Sequence, residues 1–152
     1  MFEIGNLLFF KPFYFKNGAP PQNKFMVVLG QDANGNTLLA SLPTSKDHVP
    51  SDIEVKGGCI EIPDRQVNVY VFLADENITI PQDGSTSFSF DVNTFIYGAD
   101  LDTYPITTFH QQIADKLSEV ELRGRITDDY FTALKECLKS SKMVKNKYKR
   151  VL

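Results

Sequence analysis

The sequence predicts a mainly β domain with a C-terminal helix, built as a small, partly open barrel with helical additions. Three observations predict it. Short apolar or alternating runs, separated by turn residues, fill the first two-thirds of the 152-residue chain, the grammar of antiparallel β architecture. The pattern changes near residue 105, where helical spacing begins. Beyond Thr127, the residues Phe131, Leu134 and Leu138 recur at helical intervals with Cys137 beside them, giving one apolar stripe.

Each element has a local reason. Ile4 to Phe10 is an apolar, β-prone run, and Lys16 to Asn23, with Gly18, Pro20 and Pro21, reads as a loop. Phe25 to Leu29 is a continuous apolar strand. Asn34-Gly35 is the dipeptide of a hairpin turn, and Thr37 to Leu42 returns as the partner strand. Cys59 to Pro63 follows Gly57-Gly58. Val67 to Phe72 alternates as a half-buried strand does, and Asn77 to Ile80 and Ser87 to Phe90 alternate in the same way. Asn93 to Tyr97 is a strand or a turn into one. Thr107 to Leu117 reads as a short helix and Glu119 to Ile126 as a strand. Thr127 is the N-cap of the last helix, with Asp128 and Asp129 in its first turn, where the helix dipole favours anions.

The length suits one domain, residues 1–152, with a core built on twelve phenylalanines and no tryptophan. The N-terminus lacks the basic region and cleavage site of a signal peptide, and no stretch is long enough to span a bilayer, so a cytoplasmic protein is expected. On that expectation Cys59 and Cys137 are buried thiols and not a disulfide. Charge is uneven. Residues 139–152 hold six cations and no acid, which leaves ten basic against nineteen acidic residues in 1–138, a net of −9. This basic tail, expected to be helical from about 139 to 152, is either a polyanion contact or the solvated end of a helix. Tyr148 and Met143 would dock it to the body.

The densest chemistry lies in Leu42-Pro43-Thr44-Ser45-Lys46-Asp47-His48-Val49-Pro50. Pro43 and Pro50 mark where regular pairing stops. Between them stand hydroxyls, a lysine, a carboxylate and an imidazole, groups that hold phosphate or move protons. The same residues are also ordinary turn formers.

Four stretches together resemble the PemK/MazF family of toxin endoribonucleases. Gly5-Asn6-Leu7-Leu8-Phe9-Phe10 is similar to the family's opening strand. Lys24-Phe25-Met26-Val27-Val28-Leu29 stands where the family has Arg-Pro-Ala-Leu-Val-Val. Leu42-Pro43-Thr44-Ser45-Lys46 with Pro50 resembles its Thr-Ser segment, and Glu121-Leu122-Arg123-Gly124-Arg125-Ile126-Thr127 its closing segment before a helix. The resemblance implies an SH3-like barrel, a homodimer, an antitoxin partner and cleavage of single-stranded RNA without a metal or cofactor. It also places Lys24 where the family has a catalytic arginine, and Phe25 in place of the following proline.

Such cleavage uses the ribose 2′-hydroxyl as nucleophile. The protein takes its proton, protonates the leaving oxygen and stabilises charge on the phosphate. The candidate catalytic residues are then Lys24 on the phosphate, Thr44 or Ser45 donating to it, and His48 as proton relay, because an unperturbed imidazole titrates near neutrality. Lys46, Arg123 and Arg125 are candidate RNA contacts. Lysine acts as a point charge and cannot reproduce an arginine fork. Each residue also has a plain structural reading: Lys24 as a charge at the barrel rim, His48 as a solvated loop residue, and Arg123 and Arg125 as partners of Glu121, Asp128 or Asp129. His110 reads as structural. Two distant histidines and no cysteine cluster make a zinc site unexpected, while unspaced carboxylates leave a metal nuclease open. The alternative to an enzyme is an inactive relative that binds protein or nucleic acid, or an unrelated small barrel adaptor.

Overall fold

A computed structural model describes residues 1–152. The chain is mainly β, with eight strands in two antiparallel sheets and helices packed against them. Strands β1 (Asn6–Phe13), β2 (Gln22–Gln31), β3 (Asn36–Ser41), β7 (Asp102–Pro105) and β8 (Glu119–Arg125) form a five-stranded sheet in the order β7-β3-β2-β1-β8. Strands β4 (Gly58–Ile62), β5 (Val67–Phe72) and β6 (Thr94–Tyr97) form the second sheet in sequence order. Helix α1 spans Ile106–Ala114, α2 spans Asp128–Lys139 and α3 is the short Asn146–Lys149. The two sheets do not close into one barrel.

The β2–β3 hairpin turns where Asn34-Gly35 predicts it. The Asp32 carboxylate accepts from the Asn34 and Asn36 backbone N–H groups and the Asn36 side chain at 2.9–3.0 Å. The Asn36 bonds hold that carboxyl below the ordinary range. Alternation along β1 and β2 splits the core. Leu7, Val27 and Leu29 pack beneath α2 with Leu134 and Leu138. Leu8, Phe10, Met26 and Val28 pack on the opposite face with Phe109 of α1. Thr127 caps α2 by accepting from the Tyr130 N–H.

Three expectations change. Cys59 and Cys137 form a disulfide, Cα atoms 5.5 Å apart, because β4 and α2 pack side by side although 78 positions separate the cysteines. Cys137 is buried and Cys59 exposed. Asn77–Ile80 and Ser87–Phe90 are not strands. They are joined by the Ile78 N–H to Phe88 O bond and the Phe88 N–H to Thr79 Oγ1 bond, and the first segment makes one isolated bridge, Thr79 to Ile126, since Pro81 and the turn at Asp83-Gly84 interrupt a ladder. The tail is not one helix from 139 to 152: α2 stops at Lys139 and a turn precedes the four residues of α3. Tyr148 docks it as expected, but Val144 takes the place expected of the half-buried Met143, and the Val151 carbonyl lies where a side chain on Gly30 would stand.

Candidate functional site

Register decides which side chains meet. Lys24 lies opposite Phe10, and Ser41 opposite Met26. Lys24, Met26 and Ser41 therefore point to the α1 side of the large sheet. Beyond Ser41 the chain leaves the sheet into the proline-bracketed loop. Two bonds from β6 tie this loop down, and a third closes a turn within it. The Phe95 N–H donates to the Pro43 carbonyl at 2.9 Å, the Val49 N–H donates to the Lys46 carbonyl at 2.9 Å, and the Tyr97 hydroxyl donates to the Ser45 carbonyl. A cleft of about 330 Å³ results, between this loop, the β1–β2 loop and the end of β6. Lys24, Ser45, Asp47, His48, Tyr97 and Asp100 line it.

His48 is poised by two neighbours. Its Nε2 is 3.8 Å from Asp100 Oδ2, and its ring meets the Tyr97 ring edge-on with centroids 4.8 Å apart. Both His48 and Asp100 are solvent-accessible. Burial pushes the Tyr97 phenol up to about 12, a shift the His48 backbone opposes and the Asp47 and Asp100 charges reinforce. At neutral pH Tyr97 is therefore a fixed donor to the loop and not a base. Lys24 is half-buried and takes part in no ion pair. Its ammonium is the one lysine charge on the cleft wall.

The candidate residues separate. Lys24, Ser45 and His48 share the cleft. Thr44 and Lys46 are exposed on the same loop but do not line it. Arg123 lies on the other face of the sheet, its guanidinium 5.1 Å over the Phe9 ring and 2.8 Å from Glu121. Phe9 alternates with Phe10, so it faces away from Lys24. Arg125 packs against Gly5 at the sheet edge. His110 sits on α1 with its ring edge-on to Phe2, centroids 5.6 Å apart.

Sequence reading missed Tyr97 and Asp100. Neither stands near His48 in the chain, and only the return of β6 beside the loop brings them there. It also missed a second cavity of about 390 Å³, which shares Phe15, Asn17, Ser41 and Asp100 with the cleft. Phe13, Met26, Leu39 and Tyr104 make its apolar side, and Asp100 and Asp102 line it as well. Lys16 lies at its rim, 4.6 Å from the Tyr104 ring centre and 3.1 Å from Asp102.

The cleft can hold one anionic group against Lys24 and present it to an imidazole backed by a carboxylate. No group of three or more His, Cys, Asp or Glu side chains is arranged to hold a metal ion, and no helix is long and apolar enough to cross a membrane. No protein-family model, no curated protein and no solved structure matches the chain.

Proposed function

We propose that the protein is a metal-independent endoribonuclease of the PemK/MazF-like toxin type, with a divergent SH3-like arrangement, acting on single-stranded RNA in the cytoplasm. One observation carries the reading. Lys24 on β2 and His48 on the loop after β3 open onto one cleft, with the lysine charge unneutralised and the imidazole beside Asp100.

The chemistry follows from those groups. The Lys24 ammonium takes a non-bridging oxygen of the scissile phosphate, and the Ser45 hydroxyl donates to a second. The His48 imidazole accepts the proton of the ribose 2′-hydroxyl, and Asp100 stabilises the imidazolium that forms. The 2′-oxygen–phosphorus bond forms and the bond to the 5′-oxygen breaks, leaving a 2′,3′-cyclic phosphate and a 5′-hydroxyl. The proton returns through solvent to the departing oxygen. The aromatic side of the neighbouring cavity, Phe13, Phe15 and Tyr104, suits an unstacked base next to the cleaved bond. A homodimer and an inhibitory antitoxin belong to the same reading.

A second reading has its own support. Asp47 and Asp100 face the cleft with Lys24, so its fixed charge is not net positive. That suits a module binding a mixed-charge peptide better than it suits avid phosphate binding.

Incubating mixed-sequence single-stranded RNA with the protein in EDTA separates the two. Fragments ending in cyclic phosphate, absent with both Lys24→Ala and His48→Ala, are expected. Intact RNA with folded protein would refute the nuclease reading and leave the binding module.

A further inference from the structure

We infer that the basic C-terminal segment is a preformed docking surface for the phosphodiester backbone of single-stranded RNA. The choice of RNA as the polyanion rests on the nuclease reading above. The surface itself rests on separate observations.

The first is unneutralised charge. Lys139, Lys142, Lys145, Lys147 and Arg150 are exposed, and none has a carboxylate within 4.0 Å. Of the ten cations outside the tail, Lys11, Lys16, Lys56, Arg65 and Arg123 are paired and Lys24, Lys46, Lys116, Arg125 and Lys135 are not, but only the tail gathers its unpaired cations in one stretch. Cations left unpaired on a chain with an acidic body, in a stretch that contains no acid, are free for an external anion.

The second is order. A solvated helix end would need no anchor, yet this segment is fastened into the core. Ser141 is fully buried, and its hydroxyl accepts from the Met143 N–H at 3.0 Å. Val144 and Tyr148 are buried, and the Val151 carbonyl fills the space beside Gly30. The backbone that carries the cations is therefore fixed before any ligand arrives, which lowers the ordering cost of binding.

The third is continuity. Asp102 Oδ1 accepts from the Tyr148 hydroxyl at 3.2 Å and from Lys16 Nζ at 3.1 Å. Lys16 rims the cavity that shares a wall with the Lys24 cleft. The tail is thus linked to that cavity through Asp102, whose charge Lys16 neutralises, and the unpaired cations of the surface are those of the tail itself. Asp32, in the hollow with Lys147, is engaged by Asn36.

The test uses the full chain and a 2′-O-methyl RNA oligonucleotide, which lacks the nucleophile and so reports binding apart from cleavage. Fluorescence anisotropy is read from about 50 to 200 mM salt, the range over which counterion release dominates affinity. The variant combining Lys142→Gln, Lys145→Gln, Lys147→Gln and Arg150→Gln is expected to bind tenfold or more weakly. Its slope of log affinity against log salt should fall by about 0.7 for each phosphate no longer neutralised. Lys56→Gln, a remote paired lysine, is the control and should bind as wild type does. Lys145→Gln and Lys147→Gln singly, each folded by thermal melting, should show part of the same fall in slope; if they show none, the inference fails. Wild-type affinity in the combined variant overturns it. So does tighter binding of an oligoglutamate peptide or of phosphatidylserine vesicles than of RNA at the same salt. A tail that binds while RNA stays uncleaved would sink the nuclease reading and leave this surface standing.

Discussion

Asp100 Oδ2 lies 3.8 Å from His48 Nε2, although 52 positions (100 − 48) separate the two residues in the chain. The approach is loose and exposed, so Asp100 steadies the imidazole without burying it. Asp100→Asn should lower kcat for RNA cleavage by about one order of magnitude, well short of the loss at a buried orienting carboxylate. His48→Ala should cost roughly 10²- to 10⁴-fold. Single-turnover cleavage of a short RNA distinguishes them, and equal losses would contradict this division of roles.

On the nuclease reading, Lys24 is the one lysine set against the scissile phosphate. An arginine fork makes two parallel bonds where an ammonium makes one directed charge contact. Lys24→Arg should therefore raise kcat/KM, while Lys24→Ala should lower it by about 10²-fold, the scale of removing one oxyanion donor. A Lys24→Arg variant slower than wild type would mean that the cleft is shaped to the lysine.

The Cys59–Cys137 bond closes a loop of 78 residues. On the chain-entropy account, a loop of that length stabilises the fold by about 4 kcal/mol. The Cys59→Ser, Cys137→Ser double variant should lose that amount in urea titrations, and dithiothreitol should bring the wild type to the same midpoint. A reducing compartment would hold the dithiol form, so the reduced midpoint is the one that applies there.

Gly30 has no room for a side chain. A Cβ there would lie 2.0 Å from the Val151 carbonyl oxygen, and backbone cannot step aside as a flexible side chain can. Gly30→Ala should cost about 1–3 kcal/mol, the usual range for overpacking. Removing Val151 and Leu152 from that variant should restore much of the stability. No restoration would show that the strain falls on β2 itself.

Tyr97 and Tyr104 are pushed up to about 12 chiefly by burial, and Tyr130 to about 12 chiefly by its hydrogen bond to Glu76. Below the ordinary phenol range near 10, folded and unfolded chains bind the same protons at these sites, and stability does not respond. Between about 10 and 12 the unfolded chain gives up protons that the folded chain keeps, so stability falls as pH rises. Denaturant midpoints should decline across that window, and less steeply in Tyr97→Phe. A flat response would show that these phenols ionise normally in the fold.

Much of the fold was legible because its signals are local. Asn34-Gly35 needed only its own turn geometry, and Thr127 with two aspartates needed only the helix it begins. Phe25 to Leu29 is apolar enough to announce a strand wherever it lies. Asn77 to Ile80 misled because alternation reports a face and not a ladder, and Pro81 stops that segment's pairing at the single bridge to Ile126. Cys59 and Cys137 misled because compartment was inferred from the N-terminus, while the packing of β4 against α2 depends on tertiary structure. In the site, Lys24, Ser45 and His48 could be nominated by type, but their meeting depends on register across β1, β2 and β3. Arg123 was nominated by type too, and the same register puts it on the far face. Tyr97 and Asp100 carry no local mark at all.

Strand β1 sits between β2 and β8, and this order has a consequence during synthesis. Its first partner follows within a few residues of the β1–β2 loop, but its second is among the last strands made. Until residue 119 has left the ribosome, the outer edge of Leu7-Leu8-Phe9-Phe10 has unpaired backbone groups beside four large apolar side chains. An open edge of that composition is a template for pairing with another chain. The nascent protein therefore passes through a long interval in which a chaperone, or a neighbouring copy on the same message, competes with β8 for that edge.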